Sequence, residues 1–130
     1  MFRFMFQVSE AVQLVRDALE MAYDISGSII SKPMEVVAVS DLLDVWCELY
    51  NTTYVQMERR PGDKIHEYLI AASELPHSQI HIHKGLEYYC LNFSQVSSIP
   101  LSQEISTVSA PKMNKESVRR LIANSPAKII

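Results

Sequence analysis

Apolar residues recur at helical spacing in several stretches of this sequence and alternate with polar ones in shorter runs between them. Ala11, Leu14, Val15, Ala18 and Ala22 fall on one side of a helix over residues 10–23. Ser9 is its expected N-cap, Glu10 suits its first turn, and Gly27 stops it. Ser28 to Ser31 reads as a short strand, Pro33 breaks it, and Val36 to Val39 is a second apolar run. Leu42, Leu43, Val45, Trp46 and Leu49 mark a helix over 41–50 that begins after Ser40 and ends at Asn51. Thr53 to Glu58, β-branched and aromatic with period-two character, predicts a strand. A charged turn over 59–63 follows, and then Ile65, Tyr68 and Leu69 predict a helix over 64–72.

Two strands, 81–83 and 87–93, flank Lys84-Gly85. Residues 94–111 lack periodicity and read as a loop, and Asn114 is placed to cap a final helix within 113–123, with Val118, Leu121 and Ile122 inward. The order is that of a mixed α/β domain, one unit over 1–130 with no repeat and no linker.

Composition agrees with a packed globular chain: 130 residues, 48% hydrophobic and 21% charged. A formal charge of −3 without a Lys/Arg block gives nucleic acid no attractive field. No apolar run approaches the ~20 residues of a membrane span, and the greasy opening Met1 to Phe6 is too short for a secretory signal. A cytoplasmic location is the expectation. Cys47 and Cys90 stand apart and read as reduced, buried thiols. His81 and His83 share a strand face, but a zinc site needs three or four donors at ligand spacing, so no metal is expected. Trp46, at helical spacing, reads as core.

One cluster stands out chemically: Arg60-Pro61-Gly62-Asp63-Lys64-Ile65-His66-Glu67. Gly62 permits a tight turn and Pro61 fixes the approach to it. If a helix starts at Lys64, the turn carries Arg60 to an amide-rich, partly positive helix end that suits a phosphate. A guanidinium can hold two phosphate oxygens at once. Asp63 could accept sugar hydroxyls. The alternative is a solvated turn in which Glu58 and Asp63 neutralise the arginines, pairs worth only about 0–1 kcal/mol. On the residues alone the two readings stand level.

The string from Arg60 to Glu67 resembles the Arg-Pro-Gly-(Glu/Asp)-Lys-(Leu/Ile)-His-Glu signature of bacterial UDP-N-acetylglucosamine 4,6-dehydratases and nucleotide-sugar epimerases of capsular polysaccharide biosynthesis, within the extended short-chain dehydrogenase/reductase family. Met1 to Val15 is similar to their Met-Thr-Arg-Phe-(Phe/Trp)-Met-Thr-(hydrophobic)-x-Glu-Ala-Val-x-Leu-Val segment, and the final helix resembles the one that closes such chains. The resemblance implies the small substrate-binding lobe of such an enzyme. It implies that Arg60 grips the diphosphate of a UDP-sugar, that Asp63 contacts the ribose, and that Arg3 lies at the substrate end. Phe2 replaces the threonine beside that arginine, and Asp63 the commoner glutamate. Gly62, Lys64, His66 and Glu67 would support the turn.

Such enzymes move a hydride with NAD(P) held on a glycine-rich turn and use a Tyr-x-x-x-Lys pair as base. Here there are three glycines, at positions 27, 62 and 85, and none of the six tyrosines has a lysine four residues on. No cofactor is therefore expected in this chain and no catalysis by it alone. Met1 coincides with a methionine inside the family motif, as in a truncated gene, a split gene or a fragment of a longer product. The implied partners are a weakly bound UDP-sugar and either a separate Rossmann-domain chain or a second copy of this one. The alternative is an assembly module that has lost its ligand.

Overall fold

A computed structural model describes residues 1–125; the last five positions of the expected domain lie outside the described residues. The chain runs through β1 (Phe2–Met5), α1 (Val8–Glu20), β2 (Ile29–Ser31), β3 (Glu35–Ala38) and α2 (Val39–Tyr50). It continues with β4 (Tyr68–Ile70), a 3-10 turn (Ala72–His77), β5 (Ser78–His83), β6 (Leu86–Leu91), β7 (Ile105–Ser106) and α3 (Lys115–Ala123). The mixed α/β character read from the sequence is what the structure shows.

Three small antiparallel sheets organise these elements: β1 with β3, β2–β6–β5, and β4 with β7. The β5–β6 hairpin turns on Lys84 and Gly85, both at positive φ (51° and 77°), the backbone that tight hairpins require. One core gathers Val37, Val45, Val118 and Ile122, with Met5, Leu42, Trp46 and Met113 packed against them. A second gathers Met21, Ile25, Tyr88 and Cys90, closed by Leu14 and Ile30. Asn114 caps α3 as expected, its Oδ1 accepting the Ser117 N–H at 2.8 Å.

Several expectations are corrected. Helix α1 starts at Val8 rather than after Ser9; Gln7 is its N-cap, and Glu10 reaches back to accept the Gln7 N–H at 2.8 Å. Its inner face is Leu14, Asp17, Ala18 and Met21, whereas Val15 points outward. Residues 53–58 form no strand: no neighbouring strand takes their backbone, and β-propensity without a partner does not make a ladder.

The helix expected over 64–72 does not form either, Ala72 alone being helical as the start of the 3-10 turn. The Ile65 carbonyl accepts the Phe2 N–H at 2.8 Å, the Lys64 carbonyl accepts from Arg3, and Tyr68 and Ile70 pair with β7. Tertiary bonds thus take the backbone that a helix would use, overriding a short apolar spacing that is ambiguous on its face. The 94–111 loop is interrupted by the two-residue β7, which exists only as the partner of β4.

Candidate functional site

The 60–63 turn closes on itself. Gly62 adopts φ 93°, and an added Cβ would meet nothing within 4 Å, so glycine is needed there for backbone freedom rather than for space. The Asp63 N–H donates to the Arg60 carbonyl at 3.1 Å, and Asp63 Oδ2 accepts the Arg60 N–H at 2.9 Å. Arg59 Nη2 donates to the Asp63 carbonyl at 2.7 Å. One carboxylate oxygen of Asp63 is thereby used to hold the turn shut.

Downstream, the segment is pinned to β1. Arg3 Nη1 and Nη2 both donate to the Lys64 carbonyl at 3.1 Å, while its Nε pairs with Glu67 Oε1 at 3.0 Å. Phe2 stacks on His66 with ring centroids 5.0 Å apart and planes 6° from parallel. That gives the aromatic at position 2 a structural part in this chain. Lys112 Nζ lies over the Phe2 ring of that stack, 5.1 Å from its centroid.

Thr107, fully buried, holds the opposite side. Its Oγ1 accepts the Glu67 N–H at 3.0 Å and lies 3.2 Å from His66 Nδ1, and its own N–H donates to the Glu67 carbonyl at 2.9 Å. The structure therefore brings Arg3, His66 and Glu67 together as one brace. It sets Arg60, Asp63 and Lys64 on the exposed turn that the brace carries. Among the described residues, the guanidinium of Arg60 and the ammonium of Lys64 have no hydrogen-bond or ion-pair partner.

With no helix beginning at Lys64, the expected helix-end contribution to phosphate binding falls away, and what remains is two unpaired cations on an internally hydrogen-bonded turn. Arg60 lines none of the cavities described on the surface. Among the described residues the named strands all pair antiparallel, an isolated Val36–Lys112 bridge being parallel, and Gly27, Gly62 and Gly85 sit in turns, none between a strand and the helix it feeds.

A second polar cluster was not visible in the sequence. Tyr88 Oη donates to Asp17 Oδ2 at 2.5 Å and Gln13 Nε2 donates to Oδ1 at 2.8 Å, beneath a cavity of about 340 Å³ between α1 and β6. The Tyr88 bond, reinforced by Gln13, holds the Asp17 carboxyl below its usual range despite burial. Burial, and then Asp17 itself, pushes the Tyr88 phenol up to about 12. Beside them Glu20 accepts from Lys84 and lies 2.9 Å from His83 Nε2. Donor atoms of Asp17, Glu20 and His83 lie within 4.8 Å of one another, and of the three Glu20 is paired with the Lys84 ammonium. Tyr88 is 71 residues from Asp17, so only the folded sheet reveals the pairing.

Residues 1–86 match the family model described as polysaccharide biosynthesis protein, two thirds of the sequence. The chain belongs to that family. The match covers both β1 with its Arg3 and the whole Arg60 turn, so the brace and the turn it carries lie inside the family region. Among solved structures, the chain is similar to the X-ray structure of Pen from Bacillus thuringiensis, with a TM-score of 0.73 and 23% identity. The likeness covers 95% of this chain and 37% of that one, so this family member spans little more than a third of that chain's length. At this identity the likeness shows a shared fold. No curated protein matches the sequence. No helix among the described residues is long and apolar enough to cross a membrane.

Proposed function

We propose that this chain is the nucleotide-sugar-binding lobe of a polysaccharide-biosynthesis enzyme, of the UDP-N-acetylglucosamine epimerase or dehydratase type, and is not catalytic alone. One observation carries the reading. Within the 60–67 motif, Arg59, Asp63, His66 and Glu67 are engaged in building the turn and its brace, while Arg60 and Lys64 are left unpaired. Two uncommitted cations on a stiff turn fit a diphosphate, with Arg60 as the bidentate grip and Lys64 as a nearby point charge. Membership in a polysaccharide-biosynthesis family supports the sugar-nucleotide class.

In this reading Arg3 positions the turn through Lys64 and Glu67 rather than touching ligand. The second oxygen of Asp63 remains available to a ribose hydroxyl. Hydride chemistry belongs to a Rossmann lobe outside these residues, and the complete cleft lies between the two. An open half-site holds its ligand weakly, so UDP is expected to bind with a Kd of about 1 mM or weaker, roughly −4 kcal/mol.

Parallel NMR titrations with UDP and with uridine separate phosphate recognition from base recognition. UDP is expected to shift the amide signals of residues 59–64 and uridine to leave them in place. Equal shifts from both ligands, or UDP shifts confined to other parts of the chain, would overturn the diphosphate assignment.

A further inference from the structure

The outward side of α1 is as apolar as its inward side. Val8, Val12, Val15, Leu19 and, just past the helix end, Tyr23 follow one another at intervals of three or four residues, a single stripe along the helix. All five are exposed, from 53% at Val12 to 99% at Tyr23. Asp17, the buried carboxylate, occupies the opposite side of the same helix. Ala11 and Ala22 flank the stripe on one side, and small residues there let another helix approach closely.

At its Val8 end the stripe opens into an apolar cavity of about 370 Å³ whose walls include Phe6, Leu42, Trp46 and Leu121. At its other end stands Tyr23, about 22 Å away at 1.5 Å per residue, with almost its whole ring in solvent.

We infer that this face pairs with its own copy: two α1 helices pack antiparallel across a two-fold axis close to Val15. The stripe is its own complement under that operation. Val8 faces Tyr23 of the second copy, Val12 faces its Leu19, and Val15 lies beside its Val15. Each Tyr23 is carried to the mouth of the other copy's cavity, a large side chain meeting a hollow at both ends of one isologous interface. Five side chains at these exposures present on the order of 600 Å² of apolar surface, before the cavity walls are added. That approaches the ~800 Å² each partner commits to a stable interface and lies at the top of what a lone monomer exposes. The pairing stands independently of Arg60 and of ligand.

Sedimentation and light scattering on the full chain test it, with Leu19→Glu and Val15→Cys as variants. The wild type is expected at 29.6 kDa, twice 14.8 kDa. Leu19→Glu, on an exposed position, is expected to weaken the dimer at least about tenfold with its circular dichroism unchanged. Val15→Cys is expected to form a disulfide-linked dimer on oxidation, which the wild type, with Cys90 buried and Cys47 half-buried, does not. Val108→Cys, exposed away from α1, is the matched control and is expected to stay unlinked. A wild type that stays at 14.8 kDa up to about 0.5 mM would overturn the pairing. So would a mass that climbs without a plateau, or a Val15→Cys chain that links no better than Val108→Cys.

Discussion

Replacing Tyr88 by phenylalanine is expected to destabilise the fold by about 2 kcal/mol, a fall in Tm of roughly 8 °C for a chain of this size. The change keeps the ring in its core with Met21, Ile25 and Cys90 and deletes one hydroxyl. What is lost is a 2.5 Å bond to a carboxylate that is itself almost fully buried. Asp17 then has only the Gln13 amide to offset the loss of water, and an under-satisfied buried charge is costly.

The pH profile identifies the bond more specifically than the Tm does. Asp17's folded pKa lies below its unfolded value, so its contribution is complete above about pH 4 and is lost as pH falls through the folded value. Tyr88's lies above its unfolded value, so its contribution is complete below about pH 10 and disappears as pH rises toward 12. In Tyr88→Phe the acid-side slope should shrink, with Glu10, Glu20 and the part of Asp17's lowering owed to Gln13 and its cationic neighbours supplying what remains. The alkaline slope should fall to the part owed to Tyr54, Tyr89 and the buried Cys90 thiol. Denaturant unfolding of both proteins across pH checks this. Parallel profiles displaced by a constant amount would mean that the hydroxyl acts only through packing.

Arg3→Ala is expected to loosen the candidate site while leaving the two cores folded. The guanidinium is the one group that ties the Lys64 carbonyl and the Glu67 carboxylate to β1 at once. Its removal leaves Phe2, through its N–H to Ile65 and its stack on His66, and Thr107 to hold the segment. Lysine cannot reproduce the fork, so Arg3→Lys should behave nearly as alanine does. Hydrogen exchange of the 60–67 amides is expected to accelerate at least about tenfold, a local opening cost of about 1.4 kcal/mol. Exchange at Tyr88 to Leu91 should be unchanged. Uniform acceleration through both regions would make Arg3 a global stabiliser, and unchanged exchange at 60–67 would remove the brace from the account.

The three helices and the β5–β6 hairpin were legible because each carries a local pattern: apolar residues at 3.6 spacing, a cap at Asn114, or a positive-φ turn at Lys84-Gly85. Which side of α1 faces inward was not legible, because both sides are apolar and the inner one holds an aspartate. Strand β1, hidden in a greasy opening, is fixed by β3, and β4 and β7 are too short to announce themselves. At the candidate site the turn itself could be read from Pro61, Gly62 and Asp63. The helix expected after it could not be checked from sequence, since Arg3, Phe2 and Thr107 compete for its backbone from 40 or more residues away. Nothing in the order of residues linked Asp17 to Tyr88.

The most direct test is calorimetric titration of UDP-N-acetylglucosamine into the wild-type chain, Arg60→Ala and Arg59→Ala. The expected result is weak binding, about 1 mM, by the wild type and heats indistinguishable from dilution for Arg60→Ala. Arg59→Ala, which loses only a bond within the turn, should retain most of the affinity. Equal heats from the wild type and Arg60→Ala would contradict the claim that this exposed guanidinium is kept unpaired for a diphosphate.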